Sequence, residues 1–140
     1  MSSPLSDRDE VYQDSIDSRL AERDALIRRV LEAVEGAGVA VDRHFDRLCI
    51  DELLINAIVH GNGQDPTKKV TVRVFRSATH WGIEVADEGE GFDGEAQLRE
   101  LRDLEVNLES SGRGLALIAA TGAEIRFLDG GSRVRMVRRR

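Results

Sequence analysis

The stretch from Leu48 to Gly61 reads Leu-Cys-Ile-Asp-Glu-Leu-Leu-Ile-Asn-Ala-Ile-Val-His-Gly, nearly all of it apolar. Residues four apart on an α-helix lie above one another on the same face. The run therefore predicts a buried helix carrying one polar stripe, Glu52, Asn56 and His60. A buried carboxylate and amide are costly unless something uses them. Two uses are open: capping a neighbouring strand or binding a water, or serving chemistry at a site. His60 falls at the helix end, where a donor side chain can serve the last carbonyls.

The flanking sequence supplies the elements that would bury this helix. Val11 to Ile16 suits a short edge strand, with Asp17 or Ser18 as the N-cap of a first helix. Leu20, Ile27, Val30, Leu31 and Val34 follow at helical spacing, and Gly36 and Gly38 end the pattern. Asp42 caps the second helix, which ends at Gly61-Asn-Gly63. Two alternating segments come next, with Val70, Val72 and Val74 on one strand face and Trp81, Ile83 and Val85 on another. Arg76 to Thr79 make the turn between them. Residues 93–111 read as an acidic loop with a short helix, and a helix of small residues opens at Gly112 and ends near Gly122. Ile125 and Phe127 mark a strand, Asp129-Gly-Gly131 a hairpin turn, and Val134 and Met136 a last strand. Grouped helices beside antiparallel hairpins predict an α+β fold. It is a two-layer α/β sandwich with helices on one face of a mixed, mainly antiparallel sheet.

The 140 residues suit a single domain over 10–140, with residues 1–9 expected to be disordered. Neither an internal repeat nor a linker divides the chain. The net charge is −6, and with aromatics at 4% neither a basic surface nor a base-stacking platform is indicated, which argues against nucleic-acid binding. No apolar run approaches the ~20 residues of a membrane span, and the polar N-terminus does not resemble a signal peptide. The single Cys49 lies in the apolar run and reads as a core residue in a reducing compartment. A cytoplasmic location is expected. Arg133, Arg135, Arg138, Arg139 and Arg140 read as an exposed strand face with a solvated tail, or as a patch for an acidic partner.

Two further motifs bear on chemistry. Asp87-Glu-Gly-Glu-Gly91 directly follows a strand. Its glycines Gly89 and Gly91 allow a sharp turn and close approach to a flat ligand, and an ionised Asp87 can accept from an exocyclic amine; a plain acidic turn is the alternative. Ser110-Ser-Gly-Arg-Gly-Leu115 opens a helix, where backbone N–H groups and the helix dipole favour an anion; an ordinary N-cap is the alternative. Glu52 can serve as a base and the Asn56 oxygen can bind a hard cation.

The ordered combination resembles the GHKL ATPase superfamily of gyrase and histidine kinases, over roughly residues 16–137. Glu52-Leu-Leu-Ile-Asn56-Ala-Ile-Val-His60-Gly61 resembles its N box. Asp87-Glu-Gly89-Glu-Gly91 and Gly112-Arg-Gly114-Leu115 resemble its two glycine boxes. There is no room before the first helix for the phosphoacceptor helix pair of a histidine kinase. Asn-Ala-Ile-Val-His-Gly-Asn62, Gly-Arg-Gly-Leu-Ala-Leu-Ile118 and the final Gly-Gly-Ser-Arg-Val look like the bacterial anti-sigma regulatory serine kinases.

The resemblance implies a Bergerat-type fold binding ATP and Mg²⁺. Asn56 would hold the metal, Asp87 would read the adenine amine, and Gly91 would let the base lie on the backbone. Gly112 and Gly114, with Leu115 behind them, would present N–H groups to the phosphates. Arg113 would either add charge at the γ-phosphate or be a solvated loop residue, and Ser132 would help hold adenine. Glu52 would be the general base of a serine/threonine-protein kinase. The implied partners are an anti-anti-sigma protein of the STAS type and a sigma factor, with a homodimer also expected. A nucleotide-responsive binding module without kinase activity is the alternative.

Overall fold

Alternation in Lys69–Arg76 puts Val70, Val72 and Val74 on one face of a strand, and all three are buried. The same logic sends Trp81, Ile83 and Val85 of His80–Ala86 to that face. In a computed structural model, which describes residues 4–89 and 123–140, these two segments are the centre of a five-stranded sheet. The strands are β1 (Glu10–Asp17), β2 (Lys69–Arg76), β3 (His80–Ala86), β4 (Glu124–Leu128) and β5 (Arg133–Arg139). Their spatial order is β1-β2-β3-β5-β4, and every pairing among the described residues is antiparallel. β1 is an edge strand, as Val11 to Ile16 predicted.

Two helices, α1 (Arg23–Gly36) and α2 (Arg43–Ile55), pack on the valine face. The α1 positions expected at helical spacing, Ile27, Val30, Leu31 and Val34, are buried. The α+β sandwich is therefore present as predicted. Asp42 does cap α2, accepting from the N–H groups of His44 and Phe45. Cys49 is a core residue, and burial pushes its thiol up to about 12. No helix among the described residues is long and apolar enough to cross a membrane.

Four details depart from the expectations. The first helix is not capped by Asp17 or Ser18. Asp17 ends β1 and pairs with Lys69, whereas the buried Ser18 donates its hydroxyl to the Ile58 carbonyl, 3.3 Å away. A single 3₁₀ turn, Leu20–Glu22, intervenes before α1. Secondly, α2 is amphipathic rather than wholly buried: Leu48 is exposed, on the face away from Cys49, Ile50, Leu53 and Leu54. Thirdly, residues 4–9 are folded. Leu5 is 2% exposed and packs with Phe75 and Val137, because one apolar side chain in a polar segment is enough to find an apolar notch. Lastly, the C-terminal arginines match the exposed face and solvated tail only in part: Arg139 and Arg140 are exposed, whereas Arg133 and Arg138 are half-buried and Arg135 is buried. β5 runs to Arg139, Arg135 is bonded to buried Glu84, and Arg138 pairs with buried Asp46 while lying over the Phe45 ring. Residues 93–111 and the helix expected from Gly112 lie outside the described residues.

Candidate functional site

The C-terminal end of α2 meets the C-terminal end of β3. There the helix widens into a π-helical turn, Asn56–Gly61, with the Asn62 N–H bonded to the Ala57 carbonyl at 2.8 Å. Such turns are rare and recur at functional sites, because the extra residue per turn redirects side chains. Here it breaks up the predicted stripe. Glu52 is half-buried, Asn56 is 2% exposed, and His60 is exposed.

The burial of Glu52 and Asn56 is not matched by bonding. Both side-chain polar atoms of Asn56, Oδ1 and Nδ2, are buried without a hydrogen-bond partner among the described residues, and so is Glu52 Oε2. Orphans of this kind cost about 1–3 kcal/mol each, which makes Glu52 and Asn56 candidates for completion by a bound water or ligand. The capping alternative for the stripe is therefore set aside: neither side chain caps anything. Burial raises the Glu52 carboxyl above its usual range, Asp51 beside it adds to the rise, and Arg23 opposes it. Arg23 is itself tied to Asp51 at 2.6 Å, which joins the start of α1 to α2 next to Glu52.

Asp87 sits just past β3, against the last residue of the wide turn. A Cβ added to Gly61 would overlap the Asp87 carboxylate, and one added to Gly89 would overlap the Gly61 carbonyl. Both glycines are thus required by close approach. Gly89 donates its N–H to Asp87 Oδ1 at 2.8 Å. Burial raises the Asp87 carboxyl above its ordinary value, against the lowering effects of that bond and of Lys68.

Two residues outside the predicted set build this corner. Asn62 is buried and bridges three elements. Its Nδ2 donates to the Lys69 carbonyl at 3.0 Å, and its Oδ1 accepts from the Glu88 N–H at 2.8 Å. Gly61 provides the space for Asp87. The Gly61-Asn-Gly63 string after the helix was the available signal, but it reads as a helix stop until the Asp87 turn is seen beside it. Ser132 also reaches the corner, through its main chain. Its carbonyl accepts from the Asp87 N–H at 2.8 Å, while its hydroxyl donates to the Asp129 carbonyl.

Of the predicted site residues, Glu52 on the last turn of α2 and Asn56 at the start of the π-helical turn stand one turn apart, and Asp87, Gly89 and Ser132 meet at the adjoining corner. Gly91, Gly112, Arg113, Gly114 and Leu115 lie outside the described residues. The arrangement offers a carboxylate with an unengaged oxygen, an unengaged amide, and an aspartate in a glycine-lined corner. That set can take a proton, a hard cation and an amine.

A family model described as a histidine kinase-like ATPase domain matches residues 17–138. No curated protein gives a significant match. The matched span includes both helices, strands β2 to β4 with all but the last residue of β5, and every residue of the corner just described, so the chain belongs to the histidine kinase-like ATPase family and is an ATP-binding domain of that kind.

Proposed function

We propose that the protein is an ATP-dependent serine/threonine-protein kinase acting on a STAS-type anti-anti-sigma protein, and that it also binds a sigma factor and releases it on partner exchange. The observation that carries this reading is the pair at the α2–π-turn junction: a Glu52 oxygen and an Asn56 amide, buried one turn apart and without a partner among the described residues. The residues fit ATP and Mg²⁺ on that ground. Mg²⁺ takes few protein ligands and shares the rest with phosphate and water, and the Asn56 oxygen is available for it. When bound, Mg²⁺ would supply positive charge that offsets the charge of the phosphates.

The chain's own residues divide the remaining work. Asp87 accepts from the adenine amine, held in place by the Gly89 N–H on its other side. Asn62 and Ser132 fix the corner from which it does so. Glu52 accepts the proton of the attacking hydroxyl. Its raised pKa brings it nearer the operating pH, which improves a general base. Phosphoryl transfer needs positioning and charge stabilisation above all, so a carboxylate with a free oxygen is sufficient machinery.

The test is transfer of label from γ-labelled ATP to the cognate STAS protein. Glu52→Gln should reduce transfer by about 10²–10⁴-fold, the range of general-base catalysis, with ATP binding kept. ATP binding without any transfer by the unaltered protein would instead identify a nucleotide-responsive binding module.

A further inference from the structure

A ring of three hydrogen bonds closes the corner beside Asp87. Asn62 Oδ1 accepts from the Glu88 N–H at 2.8 Å, Glu88 Oε2 accepts from the Lys69 N–H at 3.1 Å, and the Lys69 carbonyl accepts from Asn62 Nδ2 at 3.0 Å. The ring ties the residue after the wide turn to the first residue of β2 and to the segment that follows β3. Glu88 is its exposed member, whereas Asn62 is 3% exposed. An amide suits that buried position because it accepts on one side and donates on the other. A carboxylate cannot donate there, and an apolar side chain does neither.

Main-chain bonds extend the link in both directions. The Asn62 N–H closes the wide turn on the Ala57 carbonyl at 2.8 Å, and that turn begins at Asn56. On the other side, three successive N–H groups are engaged around Asp87. Its own goes to the Ser132 carbonyl, that of Glu88 to Asn62, and that of Gly89 to the Asp87 carboxylate. Of these three acceptors, Asn62 is the one that comes from the α2 side. One residue therefore holds the end of the turn that starts at Asn56 and the peptide that follows Asp87.

We propose that Asn62 is a positioning residue for nucleotide selection: it fixes the Asp87 carboxylate relative to the turn that starts at Asn56, so that a nucleotide anchored at that turn is chosen for an exocyclic amine on its purine. Asn62 acts through Asp87 and needs no contact with the nucleotide. A hydrogen bond weakens steeply once its length and angle leave the favoured range, so fixing the acceptor fixes the selectivity. The inference rests on the reading that Asp87 accepts from the adenine amine. It does not depend on phosphoryl transfer to a protein.

The test is calorimetric titration of the full chain with ATP–Mg²⁺ and with the Mg²⁺ complex of purine riboside triphosphate, which lacks the 6-amine. The unaltered protein should prefer ATP by about tenfold or more, the worth of a hydrogen bond to a charged group. Asn62→Ala should reduce this preference to about threefold or less, chiefly by weakening ATP. Glu88→Ala opens the ring at its exposed member and leaves the buried amide in place, so it should lower the preference by a smaller factor. Glu88→Gln keeps an acceptor for the Lys69 N–H and should retain the preference. A cooperative thermal transition reports that each variant is folded, and a purely structural Asn62 would lower the melting temperature with the preference intact. A folded Asn62→Ala protein that prefers ATP as the unaltered protein does would overturn the proposal and leave the role of Asp87 standing. If Asn62→Ala does not fold, Glu88→Ala decides by the same criterion. An unaltered protein that binds both triphosphates equally would overturn the role of Asp87 and the positioning together.

Discussion

Helix α2 buries a polar side chain near each end, and the two are treated in opposite ways. Near its start, Asp46 is 1% exposed and fully engaged: it accepts from the Asp42 N–H at 2.8 Å and pairs with Arg138. Past its end, Asn56 is about as deeply buried, and its amide has no hydrogen-bond partner among the described residues. Burial alone therefore does not distinguish a polar group that the fold satisfies from one that it leaves open. Whether the fold provides the partner does, because an orphaned amide lowers stability unless a ligand completes it.

The contrast can be broken by substitution. Asp46→Ala removes the acceptor for Asp42 and the partner of Arg138, and should cost about 1–3 kcal/mol in chemical denaturation. Its response to ATP–Mg²⁺ should not change. Next in size is Gly61→Ala. The new methyl displaces the Asp87 carboxylate, so ATP affinity should fall about tenfold, ~1.4 kcal/mol, in a titration. Asn56→Leu should have the opposite sign to Asp46→Ala. It removes two orphaned groups at equal shape, so the nucleotide-free protein should gain about 1 kcal/mol while the melting shift with ATP–Mg²⁺ disappears. If Asn56→Leu destabilises the free protein as Asp46→Ala does, the two ends are alike and the contrast fails.

The smallest effect concerns pH. The folded state holds the Asp87 proton to higher pH than the unfolded chain does. Stability then declines as pH rises from the ordinary value of 3.8 through the raised folded value, since the folded state binds more protons in that window. Asp87→Asn should flatten this part of the stability-versus-pH curve and abolish nucleotide binding. An unchanged slope would show that burial does not raise Asp87.

Sheet and helices were legible because period-2 and period-3.6 patterns report directly which face is buried. Val70, Val72 and Val74 of β2 and Ile27, Val30 and Val34 of α1 illustrate both. The misread segments were those in which a few polar residues had unseen partners. Ser18 resembled an N-cap but bonds across to Ile58, and Arg135 and Arg138 resembled surface charge but meet Glu84 and Asp46 from distant strands and helices. Leu5 was lost in a polar segment because its notch is assembled from three strands.

Sequence by itself determined the residue types at the site. Glu52 and Asn56 stood out by their four-residue spacing and Asp87 by its strand-end Asp-x-Gly-x-Gly, and their roles came from the family that the ordered combination resembles. Only the tertiary structure decided which of them work together. The wide turn after Ile55 turns His60 outward and leaves Asn56 unsatisfied, and Gly61 meets Asp87 across 26 residues of chain, through contacts that no local pattern encodes.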